Sequence, residues 1–278
     1  MIGAVAGVLA CAVLGLVVGL FLNVVIDRVP AKEPLWPLRF RCPHRPRVRA
    51  EGDGGDGEDD ATVVVEDDED AERPGLPIAA WLRPGGRCPV CTARLPPRYL
   101  LVPLANAVLF AAAAVRFGAD WALPAYLVFF AALLAISVVD LQLYIIPNRI
   151  VYPAIFASVP LLALAAVLGD EPSDLVRALI GGAGAWTALL VIHLVSPGGM
   201  GFGDVRLSFL LGLFLGWLSY GHVVVGMFLG FLLGAVIGLL LVGLRLRART
   251  DHVPFGPFLA AGAMLAVLFG GPLVDTWL

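Results

Sequence analysis

The sequence predicts an all-α, polytopic membrane protein with about eight transmembrane helices. Two observations carry this prediction. Of the 278 residues, 59% are hydrophobic and only 15% are charged, whereas a water-soluble domain has about 45–50% apolar and about 25% charged residues. The apolar residues also fall into runs of about 20, the length that a helix needs to cross a bilayer. The composition therefore excludes an ordinary cytoplasmic enzyme and a disordered protein.

Eight apolar runs are the predicted helices: about 3–26, 99–117, 121–139, 150–168, 176–195, 206–220, 222–244 and 258–276. The first run has no basic segment before it and no small-residue cleavage site after it, so we expect it to be retained as a helix. The runs divide the chain into a first transmembrane helix (1–26), a cytoplasmic domain (27–98) and a seven-helix membrane core (99–278). Within the core, Gly226, Gly230, Gly234 and Gly238 recur every four residues and predict a face for close helix packing.

Basic residues set the expected orientation, because they resist transfer across the membrane. With the amino terminus outside, the segments 27–98, 140–149, 196–205 and 245–257 face the cytoplasm. Together with Arg206 these segments hold 17 of the 19 Lys and Arg residues. The first of them contains an acidic insertion at 51–72, with twelve of the 22 acidic residues and no basic one. We expect this insertion to be a flexible cytoplasmic loop; the alternative is an interaction segment for basic partners.

Two aspartates adjoin the cytoplasmic ends of predicted helices, Asp140 and Asp204. Pro147 interrupts helix shortly after Asp140, and Gly201 and Gly203 allow unusual backbone conformations just before Asp204. Irregular backbone at membrane depth is tolerated only where protein or a water-filled cavity surrounds it. The pattern therefore predicts a hydrolytic site at the cytoplasmic rim.

Two neighbouring carboxylates suit acid–base chemistry, because the pair holds one proton between them. The ionised member can activate a water while the protonated member hydrogen-bonds the scissile carbonyl. Two alternatives stay open from the residues alone. Each aspartate caps a helix or pairs with a nearby base, as Asp204 would with Arg206. In the other alternative, the acids bind a cation or relay protons in an ion-coupled transporter.

Five ordered motifs carry a resemblance to a known family. The segment 199–207, with Gly201, Gly203 and Asp204, resembles the Gly-x-Gly-Asp signature of the bacterial type IV prepilin peptidases, and Asp140 followed by Ile146-Pro147-Asn148 resembles that family's first aspartate segment. The remaining matching segments are 21–30, 98–104 and 254–260. The matches therefore run in family order from residue 21 to residue 260.

This resemblance implies a membrane aspartic endopeptidase of the bacterial cytoplasmic membrane with Asp140 and Asp204 as its catalytic pair. Its partners would be type IV prepilin or pseudopilin precursors, cut at the cytoplasmic face, and the lipid bilayer. Gly201, Gly203 and Pro147 would support the active site. Asn23 and Arg28, where the first helix meets the cytoplasm, are either an interfacial cap and anchor or part of the active-site mouth. A Gly-x-Gly-Asp intramembrane peptidase with another client is the alternative within the same enzyme class.

The resemblance also bears on cofactors. Many members methylate the new amino terminus with S-adenosylmethionine, and they often carry two Cys-x-x-Cys pairs in the cytoplasmic domain. Here Cys88 and Cys91 keep one pair, while Arg45 replaces the partner of Cys42. Four zinc ligands would still be available: Cys42, His44, Cys88 and Cys91. The alternative interpretation is a set of reduced thiols that binds no metal. The sequence leaves zinc and methylation open, proteolysis needs no cofactor, and no pattern indicates a nucleic-acid partner.

Overall fold

A computed structural model describes residues 2–32, 39–41, 72–74, 96–196, 200–244 and 254–277. These residues form eight α-helices and one short strand pair. The helices are α1 (Ile2–Arg28), α2 (Arg98–Phe117), α3 (Leu123–Leu143), α4 (Asn148–Leu168), α5 (Pro172–Val195), α6 (Phe202–Leu218), α7 (Tyr220–Gly243) and α8 (Gly256–Trp277). The strands β1 (Arg39–Arg41) and β2 (Glu72–Pro74) pair antiparallel, with Arg39 opposite Pro74.

The helices confirm the predicted all-α, multi-pass membrane fold, since each of the eight predicted runs coincides with one helix. Six of the described helices, α1 to α5 and α7, are long and apolar enough to cross a membrane. Helix α6 has 17 residues, and α8 has 22. Lengths and composition therefore agree with a polytopic membrane protein in which α6 is the shortest of the described helices.

The chain divides into two compact units. One comprises Met1–Glu33 and Val102–Leu278, and the other comprises Pro34–Leu101. The predicted zinc ligands Cys42, His44, Cys88 and Cys91 lie outside the described residues, as does the acidic insertion except for Glu72, which begins β2. The functional division into 1–26, 27–98 and 99–278 accordingly stays a prediction.

Both aspartates lie inside helices, because α3 ends later and α6 begins earlier than the sequence predicts. Helix α3 continues to Leu143, so Asp140 occupies its last turn, and α6 begins at Phe202, so Asp204 occupies its first turn. The reason for the longer α3 is local: Pro147 constrains only the residue before it, and the helix closes at Tyr144, which adopts φ 56° and donates its N–H to the Asp140 carbonyl. The expected irregular backbone after Asp140 is present as the short connection to α4.

Glycines let neighbouring helices approach closely. On α5 and α6, a Cβ added to Gly181 would lie 2.8 Å from the Cα of Gly216. On α7 and α8, a Cβ added to Gly230 would lie 2.9 Å from the Cα of Leu259. Gly226 and Gly234 also contact neighbouring side chains, which confirms the predicted packing face for three of its four glycines; Gly238 has open space beside it.

Helices α3 and α6 are joined by a buried aromatic cluster at the end of α3 opposite to Asp140. Tyr126, Phe129, Phe130 and Phe214 are each 0% exposed, and the Tyr126 hydroxyl donates to the Phe214 carbonyl at 2.9 Å. The rings of Phe129 and Phe214 stack with centroids 4.2 Å apart. Helix α8 packs against both α3 and α6. The helices that carry the two aspartates are thereby fixed to each other and to α8.

Candidate active site

Asp140 is buried in the last turn of α3, with 4% of its surface exposed. Its Oδ2 accepts a hydrogen bond from the backbone N–H of Gly256 at 3.1 Å. Gly256 is the first residue of α8, so the carboxylate lies at the positive end of that helix, where negative charge is stabilised. A Cβ added to Gly256 would lie 2.7 Å from the same oxygen. A side chain at position 256 would therefore displace the Asp140 carboxylate from this hydrogen bond.

Asp204 is buried in the first turn of α6, with 6% of its surface exposed. Its N–H donates to the Gly201 carbonyl at 3.1 Å, which closes the turn at the helix start. Its Oδ2 lies beside Gly201, 3.5 Å from the position of an added Cβ, while its Oδ1 is buried and accepts no hydrogen bond from the described residues. A buried oxygen without a partner is costly, and a substrate or a water that binds there would satisfy it.

The two aspartates converge around Ile146, which lies in the connection between α3 and α4. The Ile146 Cβ is 2.9 Å from the position of a Cβ added to Gly203, and its Cδ1 is 3.1 Å from that of a Cβ added to Gly256. Ile146 thus contacts the neighbour of Asp204 and the hydrogen-bond donor of Asp140. The structure therefore brings together the two residues that the sequence paired.

The contacts of Arg206 and Asp140 differ from the partners that the sequence suggests for the two acids. Arg206 does not turn toward Asp204: its Nη1 hydrogen-bonds Asn148 Oδ1 and its guanidinium lies over the Phe202 ring. Residues two apart on a helix do not face each other, which explains why the expected Asp204–Arg206 pair does not form. Asp140 does cap a helix, as one alternative held, but the helix is α8 and the donor is Gly256.

The supporting residues predicted from sequence lie at helix ends. Gly201 is the N-cap of α6 in extended conformation, Gly203 packs against Ile146, and Pro147 is the extended N-cap of α4. Asn23, 2% exposed, and Arg28 lie in the final part of α1, which packs against α3. The glycines and the proline thus lie at the ends of the helices next to the two aspartates, and Asn23 and Arg28 belong to a helix that contacts α3.

Sequence reasoning missed the role of Gly256. The segment Pro254-Phe255-Gly256-Pro257 contains a local signal, because a glycine between prolines at the expected start of a helix indicates a constrained backbone. The partner across the bundle, Asp140, cannot be read from that signal. Among the described residues no group of three or more His, Cys, Asp or Glu side chains is arranged to hold a metal, so the zinc prediction concerns only the residues outside them.

The fold and the site define a class: a polytopic membrane protein with two buried aspartates that meet where α3 ends and α6 begins. Comparison with known proteins gives the family. Residues 127–244, which include both aspartates, match the type IV leader peptidase family, and residues 72–117 match the bacterial peptidase A24 N-terminal domain. The chain belongs to the type IV leader peptidase family.

Individual relatives agree with this assignment. The chain is 32% identical to a prepilin leader peptidase/N-methyltransferase of Pseudomonas aeruginosa, over 98% of this chain and 93% of the relative. It is 31% identical to the protein of that name from Aeromonas hydrophila, over 95% and 91% of the two chains. The corresponding Bacillus subtilis protein is 33% identical over 73% and 79%. No solved structure matches the chain.

Proposed function

We propose that this protein is a membrane aspartic endopeptidase that removes the leader peptide from type IV prepilin-like precursors, with Asp140 and Asp204 as its catalytic pair. The observation that carries the proposal is the convergence of two buried carboxylates, at 4% and 6% exposure, within the stretch that matches the peptidase family. The names of the relatives, prepilin leader peptidase, supply the substrate class.

The surroundings of the two acids differ, and this difference supports a division of roles. Asp140 accepts an N–H bond from Gly256 at the start of α8, and a hydrogen bond to a carboxylate favours its ionised form. Asp140 would then take the proton from the attacking water. Asp204, whose Oδ1 has no donor among the described residues, would carry the shared proton and donate a hydrogen bond to the scissile carbonyl.

The cytoplasmic face is the proposed side of cleavage. It follows from the orientation with the amino terminus outside, in which 17 of the 19 basic residues are cytoplasmic, and from the place of both aspartates at the helix ends on that side. A pilin-like precursor presents a basic leader followed by an apolar helix. Its helix would lie in the bilayer, and the cut site between leader and helix would reach the rim where the aspartates lie.

Methylation of the new amino terminus is a second candidate activity. The names of the relatives include N-methyltransferase, so the same substrate would serve both reactions. S-adenosylmethionine would be the methyl donor. Arg45 stands where a Cys-x-x-Cys pair would have its second cysteine. Methylation must therefore be measured separately from cleavage.

The proposal is tested by incubating the full-length protein in liposomes with a purified prepilin and identifying the products by mass spectrometry. We expect cleavage directly before the hydrophobic helix, and loss of cleavage in Asp140→Asn and in Asp204→Asn. Asp120→Asn is the matched control: Asp120 is exposed and caps the Ala122 N–H, a bond that asparagine can also accept. Full activity of either active-site variant would refute the proposed pair. When S-adenosylmethionine is added, methylation is detected as an increase in the mass of the cleaved product by one methyl group in place of hydrogen.

A further inference from the structure

Arg206 lies two residues beyond Asp204, on the first turns of α6, and contacts residues from two directions. Its Nη1 donates a hydrogen bond to Asn148 Oδ1 on the exposed side of the bundle. Its guanidinium carbon lies 4.6 Å from the centroid of the Phe202 ring, well inside the range of about 6 Å for a cation–π contact. The planar guanidinium is therefore held between a ring of its own helix and the first residue of α4.

The bond to Asn148 joins the two chain segments that carry the aspartates. Helix α3 ends three residues after Asp140, and a short connection leads from there to Asn148, the first residue of α4. Arg206 belongs to the helix turn after Asp204. A single side-chain bond thus ties the end of one aspartate segment to the start of the other.

The buried side of the same junction is held by Ile146. Its side chain packs against Gly203, so that an added Cβ there would be only 2.9 Å away. One contact alone would leave the connection free to rotate about it. Ile146 on the buried side and Asn148 on the exposed side provide two separate attachments to α6, and together they fix both the distance and the orientation of the connection.

The Phe202 ring, which Arg206 contacts, also packs against His193 of α5. The rings of His193 and Phe202 have centroids 5.6 Å apart, and His193 Nδ1 lies 2.9 Å from the Met200 carbonyl oxygen, to which it donates in the tautomer protonated at Nδ1. The guanidinium is therefore supported by a ring that the end of α5 holds in place, and its direction toward Asn148 is constrained.

We propose that Arg206 is a positioning residue for the aspartate pair: through its bond to Asn148 it holds the segment after Asp140 in register with the helix of Asp204. The inference rests on the proposed function, since it assigns Arg206 a role in that reaction. Arg206 itself points away from the carboxylates, toward Asn148 and Phe202. Its effect is on geometry, to which rates are sensitive, because a displacement of about 1 Å can cost about 100-fold.

The test measures kcat and KM for prepilin cleavage by the full-length protein in liposomes. Arg206→Gln and Asn148→Leu each remove the bond, and we expect each to lower kcat by about 10- to 100-fold while KM stays within about two-fold. The double variant should be no slower than the slower single one, because both changes remove the same bond. Arg206→Lys should be intermediate, since lysine can donate one bond but lacks the planar stacking group. Arg149→Gln is the control, an exposed arginine next to Asn148.

Four results would overturn the inference: an unchanged kcat in Arg206→Gln, a loss confined to KM, multiplied losses in the double variant, or an equal loss in Arg149→Gln, which would indicate charge rather than the bond. These results are distinguishable from failure of the proposed function. If the unaltered protein does not cleave prepilin at all, the proposed function falls; if it cleaves and Arg206→Gln cleaves equally well, only the positioning role falls.

Discussion

The hydrogen bond between Gly256 and Asp140 makes a quantitative prediction for Gly256→Ala. An added Cβ would lie 2.7 Å from Asp140 Oδ2, and ordinary C···O contacts are about 3.3 Å or longer, so the carboxylate must move by about 0.6 Å. This movement weakens the N–H bond of 3.1 Å, and hydrogen bonds to charged groups contribute about 1.5–3 kcal/mol. At 1.36 kcal/mol per tenfold, we expect kcat to fall by about 10- to 150-fold.

The assay is prepilin cleavage at saturating substrate, with thermal unfolding in the same detergent as a check on folding. Alanine is a good helix former, so the start of α8 should persist in Gly256→Ala. Gly238→Ala is the matched control, because a Cβ at Gly238 meets nothing within 4 Å and alanine there should leave cleavage unchanged. Cleavage at the original rate by Gly256→Ala would refute the reasoning, as would an equal loss in Gly238→Ala.

Two further predictions concern the packing that holds the site. Tyr126→Phe removes the buried hydroxyl bond to the Phe214 carbonyl and should destabilise the protein by about 1–2 kcal/mol, measured as a lower thermal midpoint; an unchanged midpoint would contradict this. Gly212→Ala would press a methyl group against the Gly181 carbonyl and should cost about 1–3 kcal/mol through overpacking. Gly184→Ala, where a Cβ meets nothing within 4 Å, should not; equal losses in the two glycine variants would count against close packing as the cause.

Much of the fold could be predicted because bilayer thickness imposes a simple length rule on apolar runs. Each of the eight runs became a helix, and the two aspartates stood out because charged groups near the membrane are expensive and therefore few. Helix ends were less accurate: α3 extends to Leu143 rather than 139, and α6 starts at Phe202 rather than 206. Hydropathy does not mark these ends, because polar residues such as Asp140 continue a helix whose backbone bonds remain satisfied.

The cross-bundle contacts could not be predicted. Gly256 is 116 residues from Asp140 and Arg206 is 58 residues from Asn148, and which helices become neighbours depends on packing rather than on local pattern. For Arg206, proximity in sequence even suggested the wrong partner. Asp204 is only two positions away, but on a helix that spacing points the two side chains in different directions. The two aspartates could thus be identified from the sequence, whereas the hydrogen-bond partners of Asp140 and Arg206 could be identified only from the tertiary structure.

The central claim, that Asp140 and Asp204 act as one unit in peptide hydrolysis, is tested most directly by comparing Asp140→Asn, Asp204→Asn and the double variant on one prepilin. Residues that act as a unit are strongly non-additive in their effects on rate. We expect each single variant to abolish cleavage and the double variant to be no slower than either. Full cleavage by one single variant, or two partial losses that multiply in the double variant, would contradict the paired-aspartate account.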